Sequence, residues 1–217
     1  GPSTRMYAPA AFSESDVTTI VALARSAGFG HLTVIAEDHE LISSPMPFVI
    51  SDDGTEVRAH VARPNPIWRA APCRALLIVP VSDTYISPAW YATKREHGKV
   101  VPTWNYEVVH AHGTLHAHDE PAWVREQIRD LTDVNERGFD APWSIDDPPD
   151  GYIDQMMRGI VGVELRVERL VGKRKLSQNR ADDDLAGAIA GLIDTDRRGA
   201  AAVRAAMIET EAAGEAR

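Results

Sequence analysis

A period-two alternation that recurs along the chain constrains its fold more than any other feature. In Ile160–Leu170, Val161, Val163, Leu165 and Val167 alternate with Gly162, Glu164, Arg166 and Glu168. Side chains two apart in a strand share a face, so this segment predicts a strand with one apolar and one polar side. Glu56–Arg63 repeats the pattern, with Val57, Ala59 and Val61 set against Glu56, Arg58, His60 and Ala62. Asp52-Asp53-Gly54 just ahead of it is a hairpin turn signal. Gly30–Ala36 and Ser43–Ser51 read as further strands, the second with Pro45 and Pro47 near its start and so at an edge or bulge. Arg74–Val81 is almost continuously apolar, which predicts a strand buried on both faces. A long strand is expected over about Val101–Ala117.

Helical patterns fall between these strands. Ser13 is expected to cap a helix with Asp16 in its first turn and Val17, Ile20, Val21 and Ala24 on one stripe, stopped by Gly28. Short helices are expected from Pro64-Asn65-Pro66 through Trp68, over Pro88–His97 and over Tyr152–Arg158. Asp119 is expected to cap a helix carrying Trp123, Ile128, Leu131 and Val134 and ending near Gly138. Ala-rich helices close the chain at roughly Asp182–Ile193 and Arg197–Ala212, with Asp182, Asp183 and Asp184 facing a helix dipole rather than a metal. Strands with helices inserted among them predict an α+β fold, a small barrel with peripheral helices. One domain is expected over 6–217, with Gly1–Arg5 as a cleavage scar and linker.

Chemistry concentrates in Tyr85–Gly113. Trp90-Tyr91 and Trp104-Asn105-Tyr106 flank Lys94, Arg95 and Lys99, and His110 and His112 then share one strand face. Aromatics, cations and imidazoles so close together suggest a site for a flat, anionic ligand. The net charge of −9 argues against a nucleic-acid surface. A single cysteine, Cys73, excludes an internal disulfide and fits a reducing cytoplasm. No run approaches the ~20 apolar residues that a membrane helix needs.

Four motifs in order carry a family resemblance: HxARxNPxW (His60–Trp68), YISPxWYxxKxxHGxVVPTWNYxxVHxHG (Tyr85–Gly113), IVGxE (Ile160–Glu164) and GKxKLSQN (Gly172–Asn179). Together they resemble the PaiB-type proteins, described as FMN-binding negative transcriptional regulators. The resemblance implies a flavin-reductase-like split β-barrel, usually a homodimer, with a cofactor pocket near the dimer interface. The chain departs from the family pattern at Pro45, where the family has a histidine in His-x-Pro, and at Val81-Ser82-Asp83-Thr84, where a Gly-Pro-His turn is usual. It also carries Arg174 for a tryptophan and gains His31. These histidine changes point to the haem-dependent piperazate synthases, a branch that resembles PaiB proteins. That branch closes N5-hydroxyornithine, an amino-acid substrate, into piperazic acid.

In the haem b reading, His60, His31, His110 and His112 are the candidate metal ligands, with His60 first because it precedes the Arg63-Pro64-Asn65 turn. Arg63, Arg69, Lys94 and Lys175 are candidates for the haem propionates, or for the phosphate of FMN in the alternative reading. Asn65 joins the cofactor-binding set, and Trp90, Tyr91, Trp104 and Tyr106 are candidate walls. Arg63 would hold a substrate carboxylate, and Glu107 and Asp83 are candidate bases. The expected activity is N–N bond formation with loss of water. A PaiB-like regulator or a flavin-dependent reductase is the alternative.

Overall fold

The computed structural model describes residues 6–215, so the expected scar at Gly1–Arg5 lies outside the described residues. Its strands are β1 (Ser13–Glu14), β2 (Phe29–Ile35), β3 (Leu41–Pro47), β4 (Val49–Ile50), β5 (Glu56–Ala62), β6 (Cys73–Ile86), β7 (Thr103–His118) and β8 (Ile160–Lys175). The helices are α1 (Val17–Ala27), α2 (Ala92–Glu96), α3 (Pro121–Glu136), α4 (Tyr152–Met157), α5 (Asp182–Gly191) and α6 (Ala200–Glu215). The sheet runs β3-β2-β6-β7-β8-β5-β4, and β1 adds to β8. The chain divides into two compact units. One comprises the chain through Ser15, Pro80–Val109 and everything from Val171. The other comprises Asp16–Val79 and His110–Leu170. The long strands β6, β7 and β8 contribute to both.

Most strands stand where the alternation put them. Glu56–Ala62 buries Val57, Ala59 and Val61 and turns the intervening residues outward. Gly54 enters this strand at φ +70°, a conformation that glycine adopts without a Cβ penalty. Helix α1 buries Ile20, Val21 and Ala24 and ends at Gly28 in the left-handed region. In the first unit, Ile86, Leu176, Leu192, Val203 and Met207 form a core closed by α5 and α6. The small residues of α5 have a packing role: a Cβ at Gly187 would lie 2.2 Å from the Trp90 carbonyl oxygen, and one at Gly191 2.3 Å from the Trp90 ring.

Five expectations change. The strand expected over Ser43–Ser51 is two, β3 pairing β2 and β4 pairing β5, with Pro45 and Pro47 at the end of β3 rather than near a start. Asp16, not Ser13, caps α1 by accepting from the Thr19 amide, and Ser13 pairs instead in β1. Asp119 does not cap α3: Glu120 occupies that position, and the Asp119 carboxylate binds Arg63. The Arg74–Val81 run buries Ala75, Leu77 and Val79, whereas Leu76 and Ile78 are half-buried and Arg74 and Pro80 exposed, so only one face is fully covered. Strand β8 continues through Lys175, five residues past the alternating segment, because β1 pairs with it at Gly172 and Lys173.

Candidate functional site

In the first unit, the TWNY and GKRKLSQN motifs fold onto each other across a separation of 72 positions. Asn105, fully buried, donates to the Ser177 hydroxyl at 2.9 Å, and Ser177 donates back to Asn105 Oδ1 at 3.2 Å. Lys175 Nζ donates to Thr103 Oγ1 and to the Trp104 carbonyl oxygen, both at 2.6 Å. Lys173, with the same strand parity, is buried and holds its ammonium 5.2 Å from the Tyr106 ring centroid and 5.4 Å from that of Tyr7. Arg180 lies 4.6 Å over the Tyr91 ring.

These cations act on one another. Burial, together with the charges of Lys173 and Arg180, pushes the Lys175 ammonium below the ordinary lysine range. Arg180 has Asp184 in its neighbourhood, whereas the two lysines are held by neutral oxygens and aromatic faces. An ammonium has three donors, and Lys175 uses two of them on this frame, leaving one for an anion. Trp104 is half exposed and meets Tyr85 edge to face at 6.5 Å. The geometry therefore offers positive charge beside partly open ring surfaces.

Glu107 shares the face of β7 that buries Asn105. Glu107 is buried, accepting from Ser82 Oγ at 2.9 Å through one oxygen and from Arg174 Nε at 2.7 Å through the other. Arg174, which stands where a tryptophan is usual, spans from Glu107 toward Glu209 and lines a cavity of about 570 Å³ beside Met207. Asp83 pairs instead with Arg198. Tyr91 is fully buried, and Lys94 is exposed on α2.

In the second unit, the HxARxNPxW motif is internally occupied. His60 Nδ1 is 2.7 Å from Gln127 Oε1 on α3. Arg63 donates to both oxygens of Asp119 and to the carbonyls of Arg158 and Ile160. Asn65 Nδ2 donates to Ser44 Oγ, its Oδ1 caps the turn at Ile67, and Trp68 Nε1 donates to the Arg63 carbonyl. Arg69 lies over the Trp68 ring at 5.2 Å. A further built group here is His118, whose Nε2 meets Glu164 at 2.6 Å and whose ring stacks on Trp123 at 4.2 Å. Its sequence signals were the IVGxE glutamate and the last of the four histidines His110, His112, His116 and His118, and nothing local links the two.

His31 is exposed, edge to face with Phe29 at 6.1 Å, opposite Pro45 and Ile78. His110 and His112 share one face with rings 6.1 Å apart. His110 Nδ1 is buried and has no hydrogen-bond partner among the described residues. Burial, with a smaller contribution from Arg169, pushes the His110 imidazole below its ordinary value. The sign follows from linkage. The unfolded chain takes up this proton first, so the stability is present above about pH 6.5 and is lost as pH falls below it. His110→Gln is expected to flatten the loss of urea stability between about pH 7 and pH 5. Equal slopes in the two proteins would remove His110 from that titration.

Residues 6–169 match the family model described as "Putative FMN-binding domain". The chain belongs to this family. The Bacillus subtilis member named "Protease synthase and sporulation protein PAI 2" is 30% identical over 184 residues, covering 82% of this chain and 85% of its own. This bears out the PaiB-type resemblance. An uncharacterised Emericella nidulans protein is 30% identical over 226 residues, covering 86% and 90%. Among solved structures, the flavocytochrome Anf3 of Azotobacter vinelandii superposes with a TM-score of 0.60 at 17% identity, covering 80% of this chain and 74% of its own. The FAD and heme binding protein of Mycobacterium smegmatis follows the same path with a TM-score of 0.55 at 15% identity, covering 80% and 78%. The family's fold is thus the flavin-reductase-like split β-barrel with peripheral helices. The family match ends before Lys173, Lys175 and Arg180, so these residues draw their interest from geometry. Of them, only Lys175 stood out in the sequence. Among the described residues, no group of three or more His, Cys, Asp or Glu side chains could hold a metal ion, and no helix is long and apolar enough to cross a membrane.

Proposed function

We propose that this protein binds FMN and acts as a flavin-dependent oxidoreductase on a small molecule. The observation that carries the reading is the Lys173–Lys175–Arg180 cluster, whose lysines have neutral and aromatic partners and lie beside the half-exposed Trp104. A phosphate relieves the mutual repulsion of these cations, and a flat ring has Tyr106 to lie against. A bound flavin supplies hydride or electron transfer. The protein's part is to grip the phosphate through Lys175, held in place by Thr103 and the Trp104 carbonyl, and to shield the ring from water. Family membership supports the cofactor, and the net charge of −9 favours a small-molecule role over a nucleic-acid one.

The test is a titration of cofactor-free protein with FMN, followed by flavin fluorescence. Lys175→Ala is expected to weaken binding by about 10- to 100-fold, the worth of one charge-assisted hydrogen bond to phosphate. Failure to take up FMN, or an unchanged affinity in Lys175→Ala, would end this reading.

The partnerless, buried Nδ1 of His110 favours a second reading, in which the protein holds haem b. Burial keeps this imidazole in the neutral form that ligates iron. A Soret band that His110→Ala abolishes would support it, and flavin bands alone would reject it.

A further inference from the structure

The first unit carries a second pairing of cation and aromatic ring, and the proposed FMN site does not use it. Arg197 lies with its guanidinium 4.8 Å over the Tyr85 ring, and Tyr85 abuts Trp104 edge to face at an interplanar angle of 75°. Arg197 is exposed, in the segment between α5 and α6. No hydrogen bond or ion pair engages its guanidinium among the described residues. The nearby Arg198 contrasts with it, because its guanidinium pairs with Asp83 at 3.2 Å. Trp104 keeps half its surface open, although it sits on a strand whose neighbours Asn105 and Glu107 are buried. An open tryptophan held at a fixed angle by a tyrosine, beside a guanidinium that lies on that tyrosine and meets no carboxylate among the described residues, is a surface for a planar ring bearing an anionic group. Trp104 also ties this place to the first, since its carbonyl holds Lys175.

We infer that Tyr85, Trp104 and Arg197 form a subsite for a nucleotide, a flat nitrogen heterocycle carrying phosphate, bound as co-substrate alongside the flavin. The inference rests on the FMN reading for its role, but the subsite itself needs only these three residues. The base lies on the open face of Trp104, and Arg197 turns from the tyrosine ring to the phosphate.

ADP is a suitable probe, titrated calorimetrically into the protein with and without saturating FMN. Measurable binding is expected, weakened about tenfold in Arg197→Ala and in Trp104→Leu. Arg197→Ala is expected to leave FMN affinity within about twofold, because Lys173, Lys175 and Arg180 remain. Trp104→Leu carries the risk of disturbing Lys175, so the exposed Arg197 variant decides. No ADP binding at millimolar concentration, or binding that Arg197→Ala leaves unchanged, overturns the subsite. ADP binding that needs Arg197 in a protein that never takes up FMN keeps the subsite and removes the flavin reading instead.

Discussion

Glu107→Ala is expected to lower the unfolding free energy by about 3–5 kcal/mol, because it leaves Arg174 charged and buried without its partner. Both side chains lie at a tenth of their free exposure or less, so solvent does little to screen the loss. The carboxylate is fully engaged, with Ser82 on one oxygen and Arg174 on the other. The long 3.4 Å contact from Arg174 to the exposed Glu209 is too weak to take its place. Urea denaturation checks the magnitude. The paired variant Glu107→Leu with Arg174→Met is expected to recover most of the stability, since removing both charges also removes the desolvation cost. A single-variant loss under about 1 kcal/mol would mean that the pair behaves as a solvated one. Glu107, considered from sequence as a catalytic base, is thus committed to an ion pair within the first unit.

Gly113→Ala is expected to cost about 3 kcal/mol or more, or to prevent folding, because the added methyl would overlap backbone. An ideal Cβ at this position lies 1.9 Å from the Arg166 carbonyl oxygen and 2.8 Å from its carbon. No rotamer can relieve a clash with main chain, so the strands themselves must part. Gly214→Ala is the matched control. It lies in α6 with nothing within 4 Å of an added Cβ, and is expected to be neutral or stabilising by about 0.5–1 kcal/mol. Thermal unfolding of the two variants separates the close-approach account from a general intolerance of alanine. Similar melting temperatures in both would sink it.

These two positions show where sequence reading stops. Gly113 ends the long aromatic motif and was visible as part of it. Its requirement comes from a strand 53 positions further on, whose backbone passes too near for a side chain. Arg174 was visible as a departure from the family pattern. That it meets Glu107 rather than a ligand depends on the pairing of β7 with β8.

The candidate site divides the same way. Trp104, Tyr106 and Lys175 were expected from sequence to bind a cofactor, and the structure gathers them in one unit. Lys173, Arg180 and Arg197 were not singled out, because a basic residue carries no local signal of the aromatic ring it will meet in the fold. The HxARxNPxW residues showed the reverse. Their spacing suggested a ligand rim, and each polar side chain of the motif has a partner within its own unit.

By itself, then, the sequence determined the class of elements and the family. Alternation of apolar and polar side chains follows directly from strand geometry, and turn glycines and helix stripes follow from local dihedral preferences. Only the tertiary structure decided which charges are spent on one another and which, like Lys175, meet neutral oxygens instead. Pairing partners such as Arg63 with Asp119 and Glu107 with Arg174 lie 56 and 67 positions apart, and no local preference encodes a meeting at that range.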